Sequence, residues 1–154
     1  MTLNTYITNE INDGKLRVAL KAIARKAIFN TLVYEGFEHD AEVSLTFVDN
    51  ERIKELNKEY RNKNSATDVL SFPQYDDFNE VVAPNGVVAL GDIVISLERA
   101  AEQGYNLFHS IYHEVAFLCV HSTLHLLGYD HETSKEDEKE MIQKQKDIME
   151  IIGF

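Results

Sequence analysis

Long apolar runs are missing from this chain. The longest, "VAFLCV" at residues 115 to 120, falls far short of the roughly 20 residues a membrane-spanning helix needs. The amino terminus, "MTLNTYITNE", has neither the basic start nor the apolar stretch of a secretory signal. Cysteine is nearly absent. Cys119 stands alone, so no internal disulfide forms and a cytoplasmic, reducing location is expected, with no membrane partner. Its neighbours Leu118 and Val120 predict a small buried hydrophobe rather than a ligand. Positive charge is scarce as well. A formal net charge of −11 argues against a general nucleic-acid binder.

No repeat, low-complexity segment or linker divides the 154 residues, a length suited to one domain with its own core. The charge is unevenly placed. Residues 15 to 26, "KLRVALKAIARK", carry basic residues and no acid, whereas acids gather after residue 130 in "DHETSKEDEKE". Arg17, Lys21 and Arg25 share one stripe of the predicted first helix. That stripe is either a surface for a nucleic-acid backbone or an ordinary solvated helix face.

Apolar spacing predicts the elements. "TLNTYIT" reads as a first strand, and a helical pattern runs from Lys15 to about Val33 through Leu16, Leu20, Ile23 and Ala27. "EVSLTFV" alternates, with Val43, Leu45 and Phe47 facing one way. Asp49 or Asn50 caps a helix through "ERIKELNKEY". "TDVLSF" and "ALGDIVI" read as strands separated by a turn-rich loop. Ser96 is expected to cap a short helix that Gly104 stops, and a longer helix is expected from about Leu107 to Leu127, ended by Gly128. Thr133 with Glu136 makes a capping box for a last helix carrying Met141, Ile148 and Ile151. The expected fold is a single α+β domain, a small mixed sheet packed by about five helices.

The stretch "HSTLHLLGYDH" holds three histidines, His121, His125 and His131. The first two are four apart on the long predicted helix, so they leave one face and can meet a single metal ion. Gly128 then ends the helix and lets the chain turn, which can bring His131 to the same ion. Three histidine ligands leave a fourth tetrahedral position for water, the open arrangement of catalytic zinc. With no thiolate at hand, a closed four-cysteine site is excluded. His113 lies two turns before His121 and could approach the site. His109 reads as a polar surface residue, and His39, in "GFEHD", carries no signal.

The same spacing occurs in the metzincin motif H-E-x-x-H-x-x-G-x-x-H, where the glutamate is the general base of peptide hydrolysis. Here that position is Ser122, and a neutral hydroxyl cannot take a proton as a carboxylate does. The zinc-type helix is kept and the protease base is missing. A second constellation, "NKEYRNKNSATDVLSFP", places Arg61 and Lys63 at a helix end before a strand. An arginine fork suits phosphate oxygens, although a surface arginine paired with Glu59 has the same sequence signature. Asp68 could hydrogen-bond a ligand histidine from behind, or cap a turn.

Taken together, "YRNKNSATDVLSFP", "LGDIVIS" and "HSTLHLLGYDH" resemble the YbeY family of single-strand-specific endoribonucleases. The resemblance runs from about residue 40 to the end. It implies a mixed four-stranded sheet with helices, one Zn2+ per chain on His121, His125 and His131, and Arg61 and His121 as catalytic residues. It also implies work on ribosomal RNA, including the 3′ end of the small-subunit RNA, quality control of ribosomes, and contact with the small subunit and assembly factors. Lys63, Arg17, Lys21 and Arg25 are candidates for holding the RNA, with Asp68 and His113 supporting the ligands. The sequence departs from the family pattern at Ser122 (usually glycine), Asn64 (usually aspartate) and Ala66 (usually proline), and none of these removes a ligand. Two other classes remain open: a zinc-containing assembly factor without turnover, and a metallopeptidase with an imported base.

Overall fold

The structure is a computed structural model that describes residues 1–11, 17–76, 83–129 and 134–154. The elements in chain order are β1 (Leu3–Asn9), α1 (Arg17–Tyr34), β2 (Asp40–Val48), α2 (Asn50–Arg61), β3 (Val69–Pro73), β4 (Val87–Ser96), α3 (Leu97–Leu107), α4 (Ile111–Leu126) and α5 (Lys135–Ile152). The four strands form one sheet in the order β1-β2-β4-β3. β1 and β4 both run parallel to β2, and β3 runs antiparallel to β4. The expected α+β architecture with a mixed sheet is therefore present.

Alternation decides which face of β2 is buried. Val43, Leu45 and Phe47 point into the core, which lies between the sheet and the helices α1, α4 and α5. The other sheet face is covered by α2, through Ile53 against Val48, Leu70 and Val94. Helix α4 runs through the middle and is apolar nearly all round, as a buried helix must be. Cys119 sits on it, free and fully buried, and burial pushes its thiol up to about 12. Asp49 caps α2 as expected, its side chain accepting from the Arg52 N–H.

Three boundaries differ from the sequence expectation. Gly104 does not stop α3 but lies inside it. A Cβ there would come within 2.8 Å of the His109 carbonyl oxygen and 3.3 Å of Glu114 Cγ, so glycine serves close approach rather than termination. The stop is Phe108, in the left-handed region at φ 58, and α4 begins at Ile111 with Ser110 as its cap. Helix α5 is capped by Ser134, which accepts from the Asp137 N–H at 3.0 Å; Thr133 lies outside the described residues. The buried stripe of α5 is Met141, Gln145, Ile148, Met149 and Ile152, while Ile151 is exposed.

Gly91 on β4 lies tight against β3, opposite Pro73. Its φ is +137°, and a Cβ would sit 2.2 Å from the Phe72 carbonyl oxygen. Gly91→Ala should cost about 2–4 kcal/mol, from strain and forced separation of the pair. Urea unfolding measures it.

Candidate functional site

His121 and His125 leave α4 on one face, and both are half-buried. Their Nε2 atoms are 3.0 Å apart. The Nδ1 of His121 lies 2.5 Å from Oε1 of Gln145, which reaches over from α5. A carboxamide oxygen only accepts, so Nδ1 carries the proton and Nε2 of His121 presents a lone pair. The Phe117 ring stacks alongside at 6.2 Å and limits rotation of the imidazole. Two nitrogens bound to one tetrahedral zinc at its usual bond lengths lie about 3.3 Å apart. The observed pair is within a few tenths of that spacing, and an imidazole held by a second hydrogen bond, as His121 is by Gln145, suits this ion.

Past α4 the chain turns at Gly128, φ +102°, as the spacing predicts. The Tyr129 N–H then donates back to the Leu124 carbonyl at 3.1 Å and closes the end of the histidine helix. His131 lies outside the described residues. Tyr129 is held from the side by Lys144 of α5, whose Nζ is 4.9 Å from the ring centroid and donates to Glu35 Oε2 at 2.8 Å. Burial opposes the Lys144 charge, but hydrogen bonds to Glu35 and Tyr129 outweigh it and raise its pKa above the usual lysine value. The network ties the end of α1, helix α5 and the post-Gly128 turn together.

Arg61 ends α2, which stops because Asn62 adopts the left-handed region at φ 55. Its Nη2 donates to the carbonyl oxygen of Ser71 on β3, and its guanidinium lies 5.5 Å from the Phe72 ring centroid. The following loop is pinned by buried Asn57, whose Nδ2 donates to the Ser65 carbonyl at 2.9 Å. Arg61, Asp68, Ser71, His121 and His125 line one open cleft of about 530 Å³. The structure thus brings Arg61 and the two histidines to one place, from elements 60 residues apart in the chain (121 − 61).

Other candidates are placed differently. Asp68 lines the cleft, but its Oδ2 accepts from Gln103 at 3.2 Å; the side chain bonded to His121 from behind is Gln145. Lys63 lines a neighbouring cavity of about 330 Å³ that shares Arg61. Lys21 and Arg25 do not line the cleft. Arg25 donates to Thr5 of β1 at 2.9 Å, and Arg17 lies in the first turn of α1. Asn64 and Ala66 are exposed. His113 does not join His121. Its ring sits 3.9 Å from that of His109, and both face the buried carboxylate of Glu114. Ligand atoms of His109, His113 and Glu114 lie within 4.8 Å of one another, a group able to hold a metal ion. Glu114, the one acid of an apolar helix, was the signal that these histidines are not plain surface residues.

Ser122 is fully buried, its Oγ has no hydrogen-bond partner among the described residues, and it does not line the cleft. Ser122→Ala should stabilise the fold by about 1 kcal/mol, since it removes an unpaired hydroxyl and raises helix propensity. A matched denaturation series reads the shift.

The sequence profile of the family described as Endoribonuclease YbeY matches residues 6–153. The chain belongs to that family. The Endoribonuclease YbeY of Clostridioides difficile (strain 630) is 50% identical over 143 residues, covering 91% of this chain and 92% of its own. That of Caldanaerobacter subterraneus subsp. tengcongensis is 48% identical over 142 residues, covering 88% and 89%. Among solved structures, the solution structure of TM1509 from Thermotoga maritima superposes with a TM-score of 0.62 at 28% identity, over 97% of this chain and 89% of that one. Family membership agrees with the resemblance carried by the three motifs. Among the described residues, no helix is long and apolar enough to cross a membrane.

Proposed function

We propose that this YbeY-family chain is a zinc-dependent endoribonuclease that cuts single-stranded RNA during ribosomal RNA maturation in the cytoplasm. The observation that carries the reading is the cleft that Arg61 lines together with the paired imidazoles of His121 and His125. The relatives' name, endoribonuclease, supplies the reaction class. His121 and His125, with His131 after the Gly128 turn, are the residues that would hold the ion. Bound there, zinc supplies Lewis acidity toward a phosphoryl oxygen and the attacking nucleophile.

The remaining work falls to side chains of this chain. Arg61, with one nitrogen committed to the Ser71 carbonyl, is oriented so that its other donors serve a phosphate in the cleft. Gln145 keeps His121 in a single tautomer. Lys63, beside Arg61, extends positive charge toward the next stretch of RNA backbone. Peptide hydrolysis is disfavoured by Ser122. Its side chain is buried away from the cleft, so even a carboxylate there would face the core rather than a substrate.

The test is cleavage of a short single-stranded RNA by wild type and by an Arg61→Ala, His121→Ala double variant, prepared in parallel with the duplex as control. Wild type should cut the single strand, spare the duplex and leave casein intact. Equal cutting by the double variant would assign the activity to a contaminant, and binding to ribosomal particles without cutting would favour an assembly factor. On the same samples, Gln145→Ala should weaken zinc binding at the cleft by about 10- to 100-fold. Chelator competition measures that loss.

A further inference from the structure

The start of α4 and the turn just before it carry a second set of ligand atoms, on His109, His113 and Glu114. None of His109, His113 and Glu114 lines the cleft of Arg61, His121 and His125. The Glu114 side chain is only 5% exposed, and a buried carboxylate is costly unless a cation or several donors meet it. What meets it among the described residues is Nδ1 of His109 at 3.3 Å and Nδ1 of His113 at 3.8 Å. Both are longer than the roughly 2.8 Å of a charge-assisted hydrogen bond. The Nδ1 of His113 is itself buried and, among the described residues, has no hydrogen-bond partner.

The backbone holds this group in place before any ligand arrives. Gly104 lets α3 press against the stem of Glu114, and the left-handed turn at Phe108 folds His109 back, its N–H donating to the Gly104 carbonyl at 2.8 Å. Ser110 caps α4 by accepting from the His113 N–H at 3.1 Å. The Phe154 ring, near the end of the chain, packs edge-on against His113 at 5.3 Å.

The geometry points to a second divalent-metal site, formed by Nδ1 of His109, Nδ1 of His113 and a carboxylate oxygen of Glu114. Two imidazoles with one carboxylate select a zinc-like transition ion over calcium or magnesium, which take oxygen ligands. The shorter of the two nitrogen–oxygen separations already equals the spacing of neighbouring ligands on tetrahedral zinc, about 3.3 Å, and the longer closes with a small ring rotation. The bound ion clamps the α3–α4 turn and the carboxyl-terminal end of the chain to the core. The site is independent of whether the cleft is a nuclease.

The experiment compares zinc content at a buffered free-zinc level for wild type, His109→Ala with His113→Ala, and His125→Ala, all full length. The expected result is one equivalent fewer in the His109, His113 variant than in wild type, and the remaining equivalent lost from a chain that also carries His125→Ala. The difference between variants reads this site, and the absolute number reads the cleft, so the two cannot be confused. Circular dichroism confirms folding. If the double variant unfolds, His109→Ala alone decides, because that side chain is 42% exposed; its zinc content should fall in the same way. Cobalt in place of zinc should give a visible absorption band in His125→Ala that disappears when His109→Ala is added. Equal zinc content in wild type and in the folded variants, or a cobalt band indifferent to His109, overturns the proposal.

Discussion

His125→Ala should carry one zinc ion per chain fewer than wild type and should cut no RNA. The Nε2 atoms of His121 and His125 converge to 3.0 Å, with Gln145 holding the proton on the far side of His121. Removing His125 leaves His121 with at most one partner, and an ion held by two imidazoles exchanges readily. The fold itself should survive. His125 is half-buried at the cleft, whereas the apolar body of α4 is packed independently by Val115, Leu118, Val120 and Leu124. Thermal stability should fall all the same, since an ion that binds only the native chain stabilises it by mass action. The drop should therefore vanish when wild type and variant are compared in excess chelator. Full zinc content with full cleavage in the variant would remove the histidine pair from the mechanism. Full zinc with lost cleavage would make His125 a reacting group rather than a ligand.

Much of the fold was legible because it rests on local periodicity. The alternation in β2 and the Asp49 cap of α2 each follow from a few neighbouring residues. The α3–α4 junction was not, because a glycine that ends a helix and one that allows close packing look alike in sequence. Only the tertiary approach of His109 and Glu114 shows which role Gly104 plays. The site divides in the same way. His121 and His125 were legible from a spacing of four on a helix. Gln145 was not, because it meets His121 across 24 residues, and its one local trace is a polar residue on the buried stripe of α5. Arg61 could be nominated but not oriented, since its partner is a backbone carbonyl, which any residue at 71 would provide. Lys21 and Arg25 are a different case. A basic stripe on α1 was conspicuous in sequence, yet neither residue lines the cleft.

Arg61→Ala should leave zinc content and thermal midpoint near wild type and lower single-turnover cleavage about a hundredfold to a thousandfold. That range is typical of losing one preorganised donor to a developing oxyanion. The side chain is exposed, so its removal opens no core cavity, and the hydrogen bond to Ser71 is one that water can replace at small cost. Its stacking on Phe72 adds at most about 1 kcal/mol at an exposed site. Structural loss is therefore too small to account for a hundredfold change in rate. Arg61→Lys separates charge from shape. An ammonium restores the positive charge but cannot hold the Ser71 carbonyl and two phosphate oxygens in one plane, so recovery should be partial. A residue that merely braces β3 against α2 would behave otherwise, with a lowered midpoint, intact cleavage and full rescue by lysine. Equal single-turnover rates for wild type and Arg61→Ala, on samples of equal zinc content, would return Arg61 to the surface and leave the histidines as the supported chemistry of the cleft.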